Sequence, residues 1–549
     1  MTEFEIRHKD LMGRIGKLRT PHGYIETPTI MPVINPNLNS IGAEEMKKYG
    51  AEMLIANAYI IYRKAELREA AIKKGIHAFL GFEMPIMTDS GSYQLYEYKD
   101  VEVSNREILE FQQRIGSDIC VPLDIPTPPN VKRERAKDDL EETLRRMQEA
   151  RSIIQKTLTG FSGSTGRSPV NNLLAGVVQG STFLDLREAC AQRVSEIGFE
   201  VYAIGGVVPL LESYTFDKLV DIIVASKLNL PLNAPVHLFG AGHPIIFPLA
   251  VALGCDLFDS AAYALYAKGK RYITSDGTRK VEELSYLPCS CPVCSSYSVK
   301  EVKENEDLLA SHNLWVTFEE MRIVKQSIVE RSLWELCERR CRAYPALLDA
   351  LKQMTKYSAL IERYDPVTKH PFFYLGESSA HRPEVLRYSS RLNRFTLSGN
   401  VLISTFFQHC QRQWNIKAVQ KEVKPLQGFR GRGRSPRCGG TGRARDEAEP
   451  HTALRKNRIS EEVEVFDHLF LVKPPFGPYP VGLEESYPVG QSEIPAAVDN
   501  EAKTVALQNV LKLLELNREV KFVFLYDRSW EGHPLIEEIR RYAEVRKED

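Results

Sequence analysis

Strand-like and helix-like segments alternate through the first half of this 549-residue chain, and that alternation limits the fold more than any other feature. Eight short apolar runs rich in β-branched residues occupy 27–34, 53–61, 85–90, 119–125, 173–180, 201–208, 236–242 and 257–265. Helical patterns lie between most of them, at 43–49, 106–115, 132–158, 183–197 and 215–226. Parallel strands need a long crossover, and a helix supplies one. Repeated strand–helix units therefore predict a parallel sheet. Eight of them predict an α/β fold of the (β/α)8 TIM-barrel type rather than an open doubly wound sheet. No run leads into Gly-x-Gly-x-x-Gly, which argues against a dinucleotide site.

The polar residues fall where such a barrel assembles its chemistry, at the carboxyl ends of the strands. Asp89 closes the third run, Asp124 the fourth and Gln179-Gly180 the fifth. Gly205-Gly206 interrupts the sixth, Gly240-Ala-Gly-His243 closes the seventh, and Asp259 lies in the eighth. Beyond the barrel, 271–274 and 278–283 read as a hairpin around Ser-Asp-Gly. It leads into Cys289-Ser-Cys291-Pro-Val-Cys294, with His312 downstream. Three thiolates and one imidazole at this spacing fit one tetrahedral Zn2+ per chain with no coordination position left open. Such an ion is structural, so the reaction must be carried by the carboxylates.

The length predicts several domains. Residues 1–345 are expected to form the barrel with an inserted zinc subdomain at about 271–315, closed by helices at 307–310 and 314–351. A small mixed domain is expected over 346–425, and a second α+β domain over 461–549 with a helix at 504–516, a strand at 520–526 and a helix at 534–545. Between them, 426–460 reads as a flexible linker or insert: six arginines stand among six glycines from Gln427 to Arg445. Such a segment can touch RNA phosphates or merely be solvated. Hydrophobic content of 43% and charged content of 26% are those of a soluble globular protein. Zero formal net charge excludes a global attraction to nucleic acid, so any RNA site must be a local patch. No apolar run is long enough to cross a membrane, and the first residues lack the pattern of a signal peptide. A cytoplasmic location with reduced cysteines is expected.

Two carboxylates facing one cavity suit attack at a sugar C1′. One acts as nucleophile while the other manages protons on the leaving and incoming groups. With water as acceptor the enzyme is a hydrolase, and with a base it is a transglycosylase. Asp124 and Gln179 suit the polar edge of a purine, and the paired glycines would let backbone amides approach a flat ring.

Several stretches resemble the tRNA-guanine transglycosylases: Thr-Pro-Thr-Ile-Met-Pro-Val, Thr-Asp-Ser-Gly-Ser-Tyr-Gln, Val-Val-Gln-Gly, Ala-Ile-Gly-Gly-Val-Val-Pro, Phe-Gly-Ala-Gly-His-Pro, Leu-Phe-Asp-Ser-Ala and the Cys-x-Cys-x-x-Cys with its distal His. They run in order through residues 1–345. Ser92-Tyr93 and Gly206-Val-Val-Pro209 look like the archaeal, archaeosine-forming branch. That resemblance implies exchange of guanine at D-arm position fifteen of tRNA for 7-cyano-7-deazaguanine. By the same resemblance Asp259 is the nucleophile and Asp89 contacts the base and acts as general acid/base. Asp124, Gln179, Gly206, Val207 and Val208 match base-binding positions, and Phe239 is placed to stack on the base. Cys289, Cys291, Cys294 and His312 match the zinc ligands. The expected partners are tRNA, free guanine and 7-cyano-7-deazaguanine, and a second copy of the chain. No PUA domain is recognised, which points to a separate PUA-bearing protein for tRNA capture. A silent tRNA-binding paralogue would lack the aspartates or the zinc set. A barrel glycosidase would not need the zinc module.

Overall fold

The computed structural model describes residues 3–36, 41–92, 94, 103–160, 172–369, 371–406, 415–416 and 465–548. The Gly/Arg segment and the rest of 407–464 apart from 415–416 lie outside them. The described chain divides into two compact units, residues 1–387 with 491–496, and residues 388–490 with 497–549.

The first unit begins with an antiparallel sheet of β1 (Phe4–Asp10), β2 (Gly13–Thr20) and β3 (Gly23–Thr27). Eight strands follow: β4 (Thr29–Ile34), β5 (Leu54–Asn57), β6 (Ile86–Asp89), β7 (Ile119–Cys120), β8 (Leu173–Val178), β9 (Val201–Ile204), β10 (Val236–Leu238) and β11 (Leu257–Ser260). They pair in parallel in chain order, and β11 returns to β4, so the barrel is closed as the alternation predicts. The strands are almost wholly buried, as expected where helices cover the outer face and packed side chains fill the inner one.

The observed strands are shorter than the apolar runs, for local reasons. The run 53–61 splits at Asn57, whose side chain accepts from the Ile60 amide and starts a helix Ala58–Arg63. The run 257–265 stops at Ser260, whose hydroxyl accepts from the Ala262 amide. Pro122, with no N–H to donate, follows the two paired residues of β7.

The amino-terminal ends of the barrel strands are stapled to the small sheet. Arg14 on β2 makes a two-pronged contact with Asp256, Nε to Oδ1 and Nη2 to Oδ2 both at 2.8 Å, just before β11. Asp118, just before β7 and fully buried, accepts from the Ile86 amide at 2.8 Å, the His22 amide at 2.9 Å, His22 Nδ1 at 3.0 Å and His77 Nε2 at 2.9 Å. The opposite end of the barrel is thereby left for the active site.

After the barrel, β12 (Arg271–Thr274) and β13 (Gly277–Lys280) form the expected hairpin. The helical stretches read as 307–310 and 314–351 are three helices, Glu306–Glu330, Leu333–Cys341 and Pro345–Thr355. Ser332 and Pro345 interrupt the latter. A buried ionic cluster ties later residues to this unit: Lys369 Nζ lies 2.6 Å from Asp10 Oδ1 and 3.0 Å from Asp365 Oδ1, and Arg382 lies 2.7 Å from Glu384 and 2.5 Å from Glu335. The unit accordingly runs to 387, past the 345 boundary drawn from the sequence.

The second unit is built on a five-stranded sheet in the order Gly477–Pro480, His468–Lys473, Asn400–Ser404, Lys521–Tyr526, Glu544–Lys547. The 400–404 strand thus pairs with strands from beyond 465, so one sheet draws on both regions that the sequence reading kept apart. Helix Asn500–Leu516 packs on it through Ala506, Leu507, Val510 and Leu514. The final helix is confined to Pro534–Ile539, and Glu544–Lys547 is an edge strand instead of a helical turn. Only four residues separate the two, and Val545 packs against the sheet core.

Burial pushes the Asp118 carboxyl up, but the His77 hydrogen bond, the Ile86 amide and the charges of both imidazoles outweigh it and hold the group below its ordinary value. A depressed carboxylate stabilises the fold above the unfolded aspartate range, and that stabilisation is lost as pH falls through the folded value. Asp118→Ala leaves a buried amide without its acceptor and should cost on the order of 3 kcal/mol or more. Urea denaturation at pH 7 checks this, and a loss under about 1 kcal/mol would contradict it.

Candidate active site and metal centre

The carboxyl ends of the strands surround a cavity of about 840 Å³. Asp89, Asp124 and Asp259 all line it, with Gly206, Val208 and Phe239. Each carboxylate is held differently.

Asp259 Oδ1 accepts from His237 Nε2 and from the Gly240 amide, both at 2.8 Å. Oδ2 takes no hydrogen bond among the described residues. Two fixed donors on one oxygen orient the carboxylate and leave the second oxygen open to the cavity.

Asp89 stands at the end of β6, and the β5–β6 register sets Asn57 directly beside it. Asn57 Nδ2 donates to Asp89 Oδ2 at 3.0 Å and to Gln94 Oε1 at 2.9 Å. Burial, then the charges of Asp124 and Asp259, push Asp89 up to about 7, against the opposing pull of the Gly91 and Ser90 amides. Asp89 is therefore poised to give and take a proton near neutral pH.

Asp124 accepts from Gln179 Nε2 at 2.5 Å, and its amide donates to Ser92 Oγ at 3.0 Å. Burial raises its pKa, while Ser92 and Gln179 oppose the rise. Gln179 is fully buried behind Asp124 and does not itself line the cavity. Val207 is likewise buried, and it is Val208 that faces the cavity. The glycine pair has a packing purpose that the sequence reading did not foresee. Gly206 is left-handed at φ +68°, and a Cβ there would lie 2.8 Å from Gln179 Oε1. The glycines thus make room for Gln179 beneath the loop. Phe239 packs edge-on to His237, with centroids 4.6 Å apart, and shows part of its ring to the cavity.

Asn57, Ser92, His237 and Arg187 escaped the sequence reading. Asn57 carried a signal, a polar residue inside the apolar run 53–61, and the fold pairs it directly with Asp89. His237 is a lone polar residue inside an apolar run. Arg187 is fully buried on a helix, donating to the carbonyls of Ser181, Val178 and Gly205, and burial lowers its pKa to about 10. Nothing local marks it.

The metal-ligand candidates converge as well. The ligand atoms of Cys289, Cys291, Cys294 and His312 all lie within 4.8 Å of one another. Cys291 Sγ and Cys294 Sγ are each 3.4 Å from His312 Nδ1. Tetrahedral zinc bonds of ordinary length place sulfur and nitrogen about 3.5 Å apart. His312 Nε2 donates to the Ile273 carbonyl at 2.9 Å, which turns the Nδ1 lone pair toward the thiolates. Tyr272 stacks on the ring at 3.7 Å, and its hydroxyl lies 3.2 Å from Cys294 Sγ. The donor set therefore fits a four-coordinate ion with no vacant position. Cys337 and Cys341 are both buried and join no metal-ligand cluster among the described residues.

The profile of the family described as TGT, queuine tRNA-ribosyltransferase, matches residues 10–346. The chain belongs to this family of ribosyl-transferring enzymes. A Methanosarcina acetivorans protein named tRNA-guanine(15) transglycosylase is 50% identical over 545 residues, 99% of this chain and 97% of its own length. Proteins of the same name from Archaeoglobus fulgidus and Haloferax volcanii are 43% and 41% identical, covering 97% and 95% of this chain and 97% and 90% of their own. The TGT-family match spans the barrel and the Cys3His cluster, and the archaeal likeness extends through the second unit. The resemblance read from the motifs, down to its archaeal character, is thereby borne out. No helix among the described residues is long and apolar enough to cross a membrane.

If the cluster holds metal for folding alone, purified protein should carry about one zinc per chain, lost only on unfolding. Cys291→Ala should then lower stability, as measured by thermal melting and metal analysis. A Cys291→Ala protein that melts like the wild type would refute the structural role.

Proposed function

We propose that this enzyme exchanges guanine at position fifteen of tRNA for 7-cyano-7-deazaguanine through a covalent ribosyl intermediate on Asp259. The observation that carries the reading is the unequal treatment of two carboxylates in one cavity. Asp259 is oriented by His237 and Gly240 on one oxygen, with the other open. Asp89 is pushed up to about 7.

In the first half-reaction, Asp259 Oδ2 bonds to C1′, the C1′–N9 bond breaks, and the departing guanine takes a proton from Asp89. In the second, Asp89 takes a proton from the incoming base, whose nitrogen attacks C1′ and displaces Asp259. Asp124, supported by Gln179, accepts from the polar edge of either base. Zinc at the Cys3His cluster supports the fold beside helix Glu306–Glu330 and takes no part in these steps. A homodimer remains part of this reading by family resemblance.

Val208 and Pro209 favour the neutral cyano base. They form an apolar wall beside Gly206, and the nearest acid on their helix, Glu212, is exposed at its far end. An aminomethyl cation against that wall would be buried without a partner, at a cost of roughly 2 kcal/mol or more. Labelled guanine should therefore enter tRNA and be chased out by 7-cyano-7-deazaguanine, and only weakly by the aminomethyl analogue. Equal chase by the two analogues would overturn the base assignment. No incorporation of guanine would overturn the reaction.

The proton needed by the departing base is present on Asp89 below its raised pKa and absent above it. Release of guanine in the absence of an incoming base should slow as pH rises through about 7. Stopped-time assays from pH 5.5 to 8.5 check this, and Asp89→Asn should abolish the limb along with most of the rate. A flat wild-type profile would count against Asp89 as the acid.

A further inference from the structure

His243 takes no part in the chemistry above, yet it stands on the wall of the same cavity with Tyr266 and Arg271. Its loop is fastened to the strand that carries Asp259. The Gly240 amide bonds to Asp259 Oδ1. A Cβ at Gly242 would fall 1.8 Å from the Ser260 Cβ, so the loop lies directly on β11.

The ring's proton is fixed by the backbone. His243 Nδ1 accepts from the Ile245 amide at 3.2 Å, capping the turn Pro244–Ile246. An imidazole that accepts at Nδ1 carries its hydrogen on Nε2. Burial first, and then the Arg271 charge, lower its pKa to about 4, so the ring stays neutral at physiological pH. Tyr266 meets it edge to face at 5.7 Å and limits its rotation. Nε2 has no partner among the described residues. Arg271 bonds Thr278 Oγ1 through Nε at 3.1 Å and through Nη2, leaving Nη1 uncommitted among the described residues.

We propose that His243 is a substrate-binding residue whose Nε2–H donates to a phosphate oxygen of the RNA strand entering the cavity, beside the Arg271 guanidinium. This rests on the ribosyl-transfer reading above. The phosphates that flank the target ribose are the charged groups nearest C1′. Two acids on the same wall, Asp276, 3.7 Å from Arg340, and the exposed Glu212, would repel them, so His243 and Arg271 are placed to offset that repulsion. A neutral donor adds a hydrogen bond to phosphate without repelling Arg271, which a protonated imidazole would do.

The test separates capping from RNA binding. His243→Asn keeps a side-chain acceptor for the Ile245 amide but has no donor where Nε2 lies. It should melt close to the wild type, raise the KM for tRNA ~10–100-fold, the effect of losing one hydrogen bond to a charged group, and leave the KM for free guanine unchanged. His243→Gln reaches outward with an amide N–H but loses the cap. It should melt lower and keep a tRNA KM nearer the wild type. A methylphosphonate at one of the two flanking linkages should bring wild-type KM to the His243→Asn level and add nothing further in that variant. His243→Asn with a wild-type KM for tRNA would overturn the proposal, as would additive effects of variant and methylphosphonate at both linkages. A wild-type enzyme that exchanges no guanine into tRNA would instead overturn the functional reading on which it rests.

Discussion

Three carboxylates share one cavity, and burial and mutual repulsion raise the cost of ionising Asp89 and Asp124 there. The surrounding structure resolves that conflict by giving each a different set of donors. Asp259 receives a ring N–H and a backbone amide on one oxygen. Asp124 receives Gln179, which is itself seated beneath the glycine pair. Asp89 receives Asn57 and two amides, too little to offset its burial and its two acidic neighbours. One carboxylate is left oriented with a free oxygen and another with a raised pKa, an asymmetry that suits the proposed ribosyl transfer through a covalent intermediate.

This arrangement depends on the barrel as a rigid frame. Asp259 and His237 lie on neighbouring strands, as do Asp89 and Asn57, so closure and register alone fix both pairs. The opposite end is locked by acids of a different kind. Asp118 and Asp256 are saturated with donors from the barrel and the small amino-terminal sheet. Buried acids at the amino-terminal end are thus spent on stability, while those at the carboxyl-terminal end keep unsatisfied capacity for a substrate. The Cys3His cluster adds a third anchor through helix Glu306–Glu330, distinct from the reacting groups.

The barrel was legible because eight apolar runs and their intervening helices repeat a local pattern that tertiary contacts reinforce. The carboxylates were legible because each interrupts or ends such a run, and the metal cluster because its spacing is local. What escaped depends on contacts between distant residues. Strand ends were overrun because Asn57 caps a helix inside one apolar stretch and the Ser260 hydroxyl takes the Ala262 amide inside another. His237 gains its meaning from Asp259, and Gln179 from Asp124, each through the fold. Nothing local in the sequence marks Asp10, Lys369, Arg382 and Glu384, yet they form the buried cluster that carries the first unit to residue 387. The second unit's sheet interleaves strands from both sides of the Gly/Arg segment, an order that periodicity does not encode.

The central claim is that Asp259, and not Asp89, forms the bond to C1′. The most direct test is to trap the enzyme–tRNA adduct without an incoming base, digest it with nuclease and protease, and locate the residual nucleotide by peptide mass spectrometry. The account predicts the nucleotide mass on the peptide containing Leu257–Ser260, at Asp259. The same mass on the peptide containing Ile86–Asp89 would contradict it.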